Sequence, residues 1–212
     1  GNKWGIFPAA SAAWRISDES FMEWSKDWLS TLKMRASYGK SGNARVGSYW
    51  RQTYSPVTST KNLYYQNEIG QSSLQPAKRL RNENLTWESK FSTNVGFDLG
   101  FFSNRINLTF DYYNDVTKDL IMEVQLPSNA GYSSQYQNLG QTTNRGVELS
   151  LNANLVQTKD FYLDFNFNIA FNKNKVDALY GANGDEMILS GGGTETGSDN
   201  YRVFVGQEVG LM

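Results

Sequence analysis

Two residue types are missing altogether: the 212-residue chain has no cysteine and no histidine. Without thiols there are no disulfide staples and no thiolate metal sites, and the redox compartment is left open. Without imidazole, histidine triads, His-ligated zinc and ordinary histidine acid–base chemistry are excluded within these residues. A net charge of −1 leaves no electrostatic footprint for nucleic acid. There is no run of about 18 apolar residues, so no transmembrane helix is expected, although alternating β-barrel segments would escape that test. The opening GNKWGIFP has no basic or apolar signal region, so a signal peptide has been removed or the chain starts inside a longer protein.

What is present is alternation. In WESKFSTNVGFDLGFFSNRINLTFDYY (87–113), Phe91, Thr93, Val95, Phe97, Leu99 and Phe101 occupy every second position, with polar residues between. After Ser103-Asn104 the alternation resumes with Ile106, Leu108, Phe110 and Tyr112. The pattern recurs in Val147, Leu149, Leu151, Ala153 and Leu155, and again in Phe161, Leu163, Phe165, Phe167, Ile169 and Phe171. Side chains two apart share a face of a strand, so each segment has one apolar and one polar face. These runs exceed the usual strand of about 5–6 residues and reach the roughly 9–11 needed to cross a bilayer.

The remaining segments are read in the same way. Residues 4–16 alternate as a strand, with Pro8 marking an edge or bulge. Residues 17–30 switch to a helical period, with Ser17 as a candidate cap and Phe21, Trp24 and Trp28 on one side. One short helical turn is expected near 18–29, packed on the sheet end in preference to lying at a membrane interface. Residues 31–41 return to a strand, closed by a Ser-Gly-Asn turn. The phosphate-loop reading of GKS fails because Met34 stands where a glycine is required. Tyr49–Tyr54 and Asn62–Gln66 are weaker strand candidates, 67–87 reads as a polar loop, and 201–206 begins another strand. The strand from Arg105 runs to about Leu126, with lipid contact ending near Tyr112.

No charged side chain interrupts the apolar face over 91–101, 106–112, 147–155 or 161–171. Lys90, Asp98, Arg105, Asp111, Glu148 and Asp164 all fall on the other side. An Arg or Lys facing lipid at the midplane costs about 2–4 kcal/mol, so a clean face is what a hydrocarbon solvent selects. Periodicity alone equally permits a soluble sandwich with that face turned inward. Strand length, two tight turns (103–104 and 157–160) against longer connections (127–135 and 177–200), and aromatics at the tight-turn rim favour an antiparallel transmembrane β-barrel. The predicted lipid-facing set is Phe91, Val95, Phe97, Leu99, Ile106, Leu108, Phe110, Val147, Leu149, Leu151, Phe165, Phe167 and Ile169.

Chemistry-bearing constellations are scarce. Asp185-Glu186 has nothing to fix its geometry, GANGDEMILSGGG lacks the ligand spacing of a calcium loop, and Gly191–Gly193 has no strand-to-helix context. No catalytic residue, metal ligand or cofactor is assigned. Both Asn-X-Thr tripeptides are set aside, one of them being mid-strand. Tyr49, Trp50, Tyr132 and Tyr136 are candidates to stack on sugar or peptide ligands from outer loops, although mutual packing is the commoner fate of aromatics.

In ordered combination, NENLTWES, NVGFDLGFFSNRINLTFDYYNDVTKDLI, YSSQYQNLGQTTNRGVELSLN and FYLDFNFNIAFNKNKV resemble the barrel of SusC/RagA-like TonB-dependent outer-membrane transporters. KWGIFPAASAAWRISDESF and LKMRASYGKSGN resemble the same family's preceding strands. The resemblance implies a Bacteroidetes-type outer-membrane importer with a plugged barrel of about 22 strands. It also implies drive by TonB and capture of glycans or peptides with a SusD-like surface lipoprotein. About eight strands are legible and neither plug nor TonB box is recognised, so the chain reads as an internal barrel segment. An eight-stranded barrel would need its interior filled by side chains, and this Gly-, Ser- and Asn-rich polar face suits a wide barrel better. An adhesin or structural barrel without transport and a soluble β-sandwich binding module are the alternatives.

Overall fold

The computed structural model describes residues 4–43, 54–56, 74–76, 79–179, 186–189 and 201–208. Its strands are β1 (Ala9–Arg15), β2 (Leu29–Asn43), β3 (Tyr54–Pro56), β4 (Leu74–Pro76), β5 (Arg79–Leu80), β6 (Glu88–Phe101), β7 (Ile106–Gln125), β8 (Ser134–Gln157), β9 (Tyr162–Ala178), β10 (Glu186–Leu189) and β11 (Tyr201–Phe204). The main sheet runs β1-β2-β6-β7-β8-β9, antiparallel throughout, with β5 added in parallel beside the start of β8. It is open, with β1 and β9 at its margins, and β3–β4 and β10–β11 form separate ribbons. The strands β6, β7, β8 and β9 are 14, 20, 24 and 17 residues long, well beyond soluble norms.

The alternating sequences register so that apolar positions align into rows across the sheet. Trp14, Met34, Phe97, Phe110, Leu149 and Ile169 form one row. The row on one side is Leu32, Leu99, Leu108, Leu151 and Phe167; on the other it is Ala36, Val95, Tyr112, Val147 and Phe171. Phe101, Ile106, Ala153 and Phe165 complete the band at the tight-turn end. A slip of one residue would put every one of these on the wrong face, so one solvent preference fixes the register of all the strands.

No second layer covers this face among the described residues. Phe110, Phe167 and Phe171 are 37%, 43% and 63% exposed. The buried apolar residues, Leu29, Leu85, Val124, Ala153, Val176 and Val203, lie mostly beyond the band. The inward-packed core that a soluble sandwich requires is not what these rows build.

β6 and β7 meet through Phe102–Arg105, where Phe102, Ser103 and Asn104 all have positive φ (52°, 58° and 61°). That conformation is unfavourable for a bulky residue, and neighbouring groups hold it. Phe102 N–H donates to the Trp28 carbonyl (2.9 Å), Ser103 N–H to Ser30 Oγ (2.7 Å), and Thr31 Oγ1 to Asn104 Oδ1 (3.0 Å).

Several boundaries differ from the sequence reading. Trp4–Pro8 precede the strand, although Lys40 N–H still donates to the Pro8 carbonyl (2.8 Å). The expected turn at Ser41–Asn43 is strand: these residues pair with Glu88–Lys90, and Asn43 Nδ2 donates to Glu88 Oε2 (2.8 Å). The helical segment is two 3-10 turns, Ile16–Asp18 and Ser20–Ser25, and Ser17 caps neither; its hydroxyl bonds Asp18 at 3.4 Å. Arg105 belongs to the turn, and the polar loop 67–87 contains β4 and β5. The candidate strand at Asn62–Gln66 and most of Tyr49–Tyr54 lie outside the described residues.

Candidate functional surfaces

The two faces of the sheet are chemically distinct surfaces. On the polar face, Arg35 of β2 reaches across β6 to a carboxylate on each of two strands. Its Nε and Nη2 donate to both oxygens of Asp98 (2.9 and 3.0 Å), and Nη2 lies 3.0 Å from Asp111 Oδ1. Gly96, in register between Arg35 and Asp111, makes the crossing possible. A Cβ there would sit 2.9 Å from Arg35 Nη2. Gly146 serves in the same way beneath Tyr113: a Cβ would lie 2.6 Å from the phenol oxygen, which donates to Asn172 Oδ1 at 3.0 Å. Lys90 pairs with Asp115 at 2.7 Å, and Ser150 with Asn168 at 2.8 Å. Small residues alternating with long paired polar side chains make an interlocked polar surface.

Of the residues predicted to face lipid, Val95, Phe97, Leu99, Ile106, Leu108, Phe110, Val147, Leu149, Leu151, Phe165, Phe167 and Ile169 all lie in the band rows. Phe91 shares their face but sits two rows beyond the last of them, in the row Lys40, Phe91, Val116, Thr143 and Lys175. Its ring lies between two ammonium groups, Lys40 Nζ at 5.5 Å and Lys118 Nζ at 5.8 Å. Alternation places it on the same face of the sheet as the others and does not say where along the strand the band stops.

The tight-turn end is aromatic. Trp28 stacks on Phe101 (6.1 Å), Trp24 tilts against Trp28 (6.0 Å), and Trp14 meets Phe21 edge-on (6.5 Å). Trp28 and Phe21 do contact the sheet end as expected, yet Trp24 and Phe21 remain 70% and 59% exposed. With Phe102, Phe161 and Tyr162, also exposed, they form a fringe along the edge of the band.

At the opposite end β7 and β8 outrun β6 and form a ribbon. β5 pairs with β8 and β6 with β7, so residues 81–87 must cross that ribbon. Asn138 of β8 brackets the crossing: its Oδ1 accepts from Thr86 N–H (2.8 Å), and its Nδ2 donates to the Thr86 and Asp119 carbonyls (3.0 and 2.8 Å). Asn82 Nδ2 donates to the Tyr136 carbonyl (2.8 Å), and Leu85 is buried. Asp119 has φ 58° at a bulge in β7, and Glu88 Oε1 accepts the Ile121 N–H there (3.0 Å). The segment NENLTWE is thus a strap.

Next to the strap, Arg79 Nε donates to Glu123 Oε1 (2.8 Å), which also accepts from Ser134 Oγ (2.5 Å), while Tyr136 Oη donates to Glu123 Oε2 (3.1 Å). The Arg79 hydrogen bond holds the Glu123 carboxyl below its ordinary range. Burial, followed by the bond to Glu123, pushes the Tyr136 phenol up. Tyr136 lies in β8, not in a loop, and its hydroxyl is engaged in this clasp. Tyr132 does lie in the loop and is half-buried, whereas Tyr49 and Trp50 fall outside the described residues. The candidate ligand aromatics are therefore not brought together among the described residues. Sequence reading missed Arg35, Glu123 and Asn138 as organising residues, since their partners appear only once the register is known.

The family model described as TonB dependent receptor-like, beta-barrel matches residues 1–201. TonB-dependent receptor P26 of Formosa agariphila is 36% identical over 208 residues, covering 98% of this chain and 20% of that protein. TonB-dependent receptor SusC of Bacteroides thetaiotaomicron is 33% identical over 204 residues, covering 95% of this chain and 20% of that protein. The structure of the RagAB peptide transporter superposes with a TM-score of 0.75 at 28% identity, over 95% of this chain and 20% of that one. The chain thus spans about a fifth of the length of these relatives. Uncovered apolar rows backed by a salt-bridged polar face, in long antiparallel strands, agree with that match: the chain belongs to the TonB-dependent receptor β-barrel family.

Proposed function

We propose that this chain is an arc of the wall of an outer-membrane, TonB-dependent nutrient importer. In this reading the apolar rows face lipid, the Arg35 face lines a wide interior, and tight turns point to the periplasm. The observation that carries it is the unbroken band from Phe101 to Tyr112 and from Ala153 to Phe171, uncovered among the described residues, with the ion pairs of Arg35 with Asp98 and Asp111 on the other face. The open sheet, in which no described strand pairs along the outer edge of β1 and β9 meets only Gly206 and Gln207 at Val176, suits one arc of a larger barrel whose plug and TonB-contacting parts lie in other segments. The name of the RagAB peptide transporter supports oligopeptides as cargo, and the SusC/RagA-like resemblance of the sequence adds glycans as the other cargo class and a SusD-like lipoprotein as partner.

The test is uptake together with topology. Cells carrying the full-length protein should accumulate labelled oligosaccharide or oligopeptide only when TonB is functional. Nitroxides at Phe97 and Leu149 of the reconstituted protein should collide with oxygen, and those at Asp98 and Glu148 with a water-soluble nickel chelate. Uptake independent of TonB would sink the importer reading, and nickel-accessible labels at Phe97 and Leu149 would sink the wall.

A further inference from the structure

The apolar band ends differently on its two sides, and the long-loop side carries an unexplained concentration of positive charge. Directly above the row of Tyr112 and Phe171, on the same outward face, Arg145 of β8 stands opposite Lys173 of β9. Both are exposed, and neither has a carboxylate within ion-pair distance among the described residues. Like charges set directly across an antiparallel pair repel, so this pairing is unfavourable unless an anion lies between them. One row higher on the same face stand Lys40 and Lys175, followed by Lys118. Asp177 is the carboxylate among these rows. It already bonds Thr143 Oγ1 and Gln141 Nε2 (3.3 Å) and lies 3.7 Å from Lys175.

On the same face, in rows shared with these cations, lies a hollow of about 620 Å³ lined by Tyr38, Phe91, Asn114, Lys118, Thr143 and Asp177, with Lys118 the cation in its wall. Its walls mix polar side chains with Val116 and the Phe91 ring, which lies between Lys40 and Lys118. At the tight-turn end the charges nearly balance, Asp18, Glu19, Glu23, Asp27 and Asp160 against Arg15, Lys26, Arg105 and Lys159, and the flanking surface is aromatic. One row along a strand is about 6.8 Å, so the Arg145–Lys173 pair lies just where hydrocarbon gives way to headgroups.

We propose that this patch binds the phosphate of an anionic lipid headgroup in the leaflet at the long-loop end, with Arg145 and Lys173 as its principal contacts. The proposal rests on the lipid-facing reading of the band. An arginine offers a planar fork of donors to phosphate oxygens and a lysine a point charge, so the opposed pair can grip one phosphate from two strands. Lys175 and Lys118 supply further positive field, and the hollow accommodates the headgroup. The acyl chains would continue down over Tyr112, Val147 and Phe171.

The full-length protein in neutral detergent should retain phosphatidic acid in preference to phosphatidylcholine, counted by native mass spectrometry. Replacing both cations (Arg145→Gln with Lys173→Gln) should lower that retention by about tenfold or more, given the attraction expected per basic residue at a membrane surface. The charge-conserving exchange (Arg145→Lys with Lys173→Arg) should restore most of it. Lys26→Gln, at the other end, should change nothing. Unchanged retention in the double glutamine variant would overturn the proposal. So would displacement of the lipid by equimolar inorganic phosphate, since the site would then take the free anion.

A nitroxide at Phe110 of the same reconstituted protein separates the two readings. Oxygen accessibility there with no lipid preference removes the headgroup site and leaves the barrel wall standing. Nickel accessibility there removes both.

Discussion

The lower sheet and the upper ribbon are made from the same strands and held by different means. From Phe101 to Tyr112 the order is collective: apolar rows repeat across as many as six strands, and the side-chain bonds to distant backbone, Ser30 to Ser103 and Arg105 to Asn154 and Leu155, gather at the tight-turn edge. Above Lys118 the ladder is interrupted by bulges at Thr117/Leu120 and Leu120/Ile121, and order comes from individual polar brackets at Asn138, Glu88 and Glu123. A solvent that punishes any polar group on one face can specify a register with many weak, redundant contacts. Where that solvent ends, each departure from regular pairing needs its own hydrogen bonds, because strand groups freed by a bulge must find partners.

The contrast predicts unequal sensitivity to substitution. Leu149→Arg places a charge at the middle of the apolar rows and should destabilise the reconstituted full-length protein by about 2–4 kcal/mol in urea unfolding from lipid vesicles. Ser150→Arg, one residue away on the polar face, should cost less than about 1 kcal/mol, the ordinary range for a solvated substitution. Equal penalties for the two would mean that the faces do not see different solvents.

In the ribbon the effect should be smaller and local. Asn138→Ala removes the bonds to Thr86 and Asp119, each worth about 0.5–1.5 kcal/mol net. Amides of 84–88 and 119–121 should then exchange with deuterium faster, while those of β8 between Val147 and Ala153 stay protected. If protection falls throughout the sheet, the strap is part of the cooperative core and the division between the two regions fails.

This division also explains what could be read from the sequence. Period-two alternation at Phe97, Leu99 and Leu108, or at Leu149 and Phe167, is a local property, so the strands, their faces and both tight turns were legible before any pairing was known. The Arg35 bridge was not, because Asp98 and Asp111 become its partners only through the register of three strands. The Ser41–Asn43 turn was misread for the same reason: a Gly-containing polar run is strand when β6 offers a matching edge. Phe91 shows the limit at the band's end. Its alternation is perfect, and only the neighbouring strands reveal Lys40 and Lys118 on either side of its ring.

The smallest expected effect concerns pH and the clasp around Glu123, well outside the apolar rows. Hydrogen bonding to Arg79 holds this carboxyl below its ordinary value of 4.5, with Ser134 and Tyr136 adding to the effect and burial opposing it. A depressed folded-state value means that the clasp's contribution is fully present above the ordinary value and fades as pH falls through the lowered one. Tyr136 has the opposite sign. Burial and its bond to Glu123 raise the phenol above 10.0, so its contribution holds below that value and is lost as pH climbs past the raised one. Arg79 stays charged over the whole range, being raised further by Glu123. Amides of 79–81 and 134–137 should therefore lose protection in acid, after correction for intrinsic exchange, while those of Leu149 and Leu151 do not. Glu123→Gln, which cannot ionise, should show the weakened clasp at neutral pH and no further change in acid. An undiminished acid response in that variant would assign the pH sensitivity to some other group and leave Glu123 as a bracket without a titration.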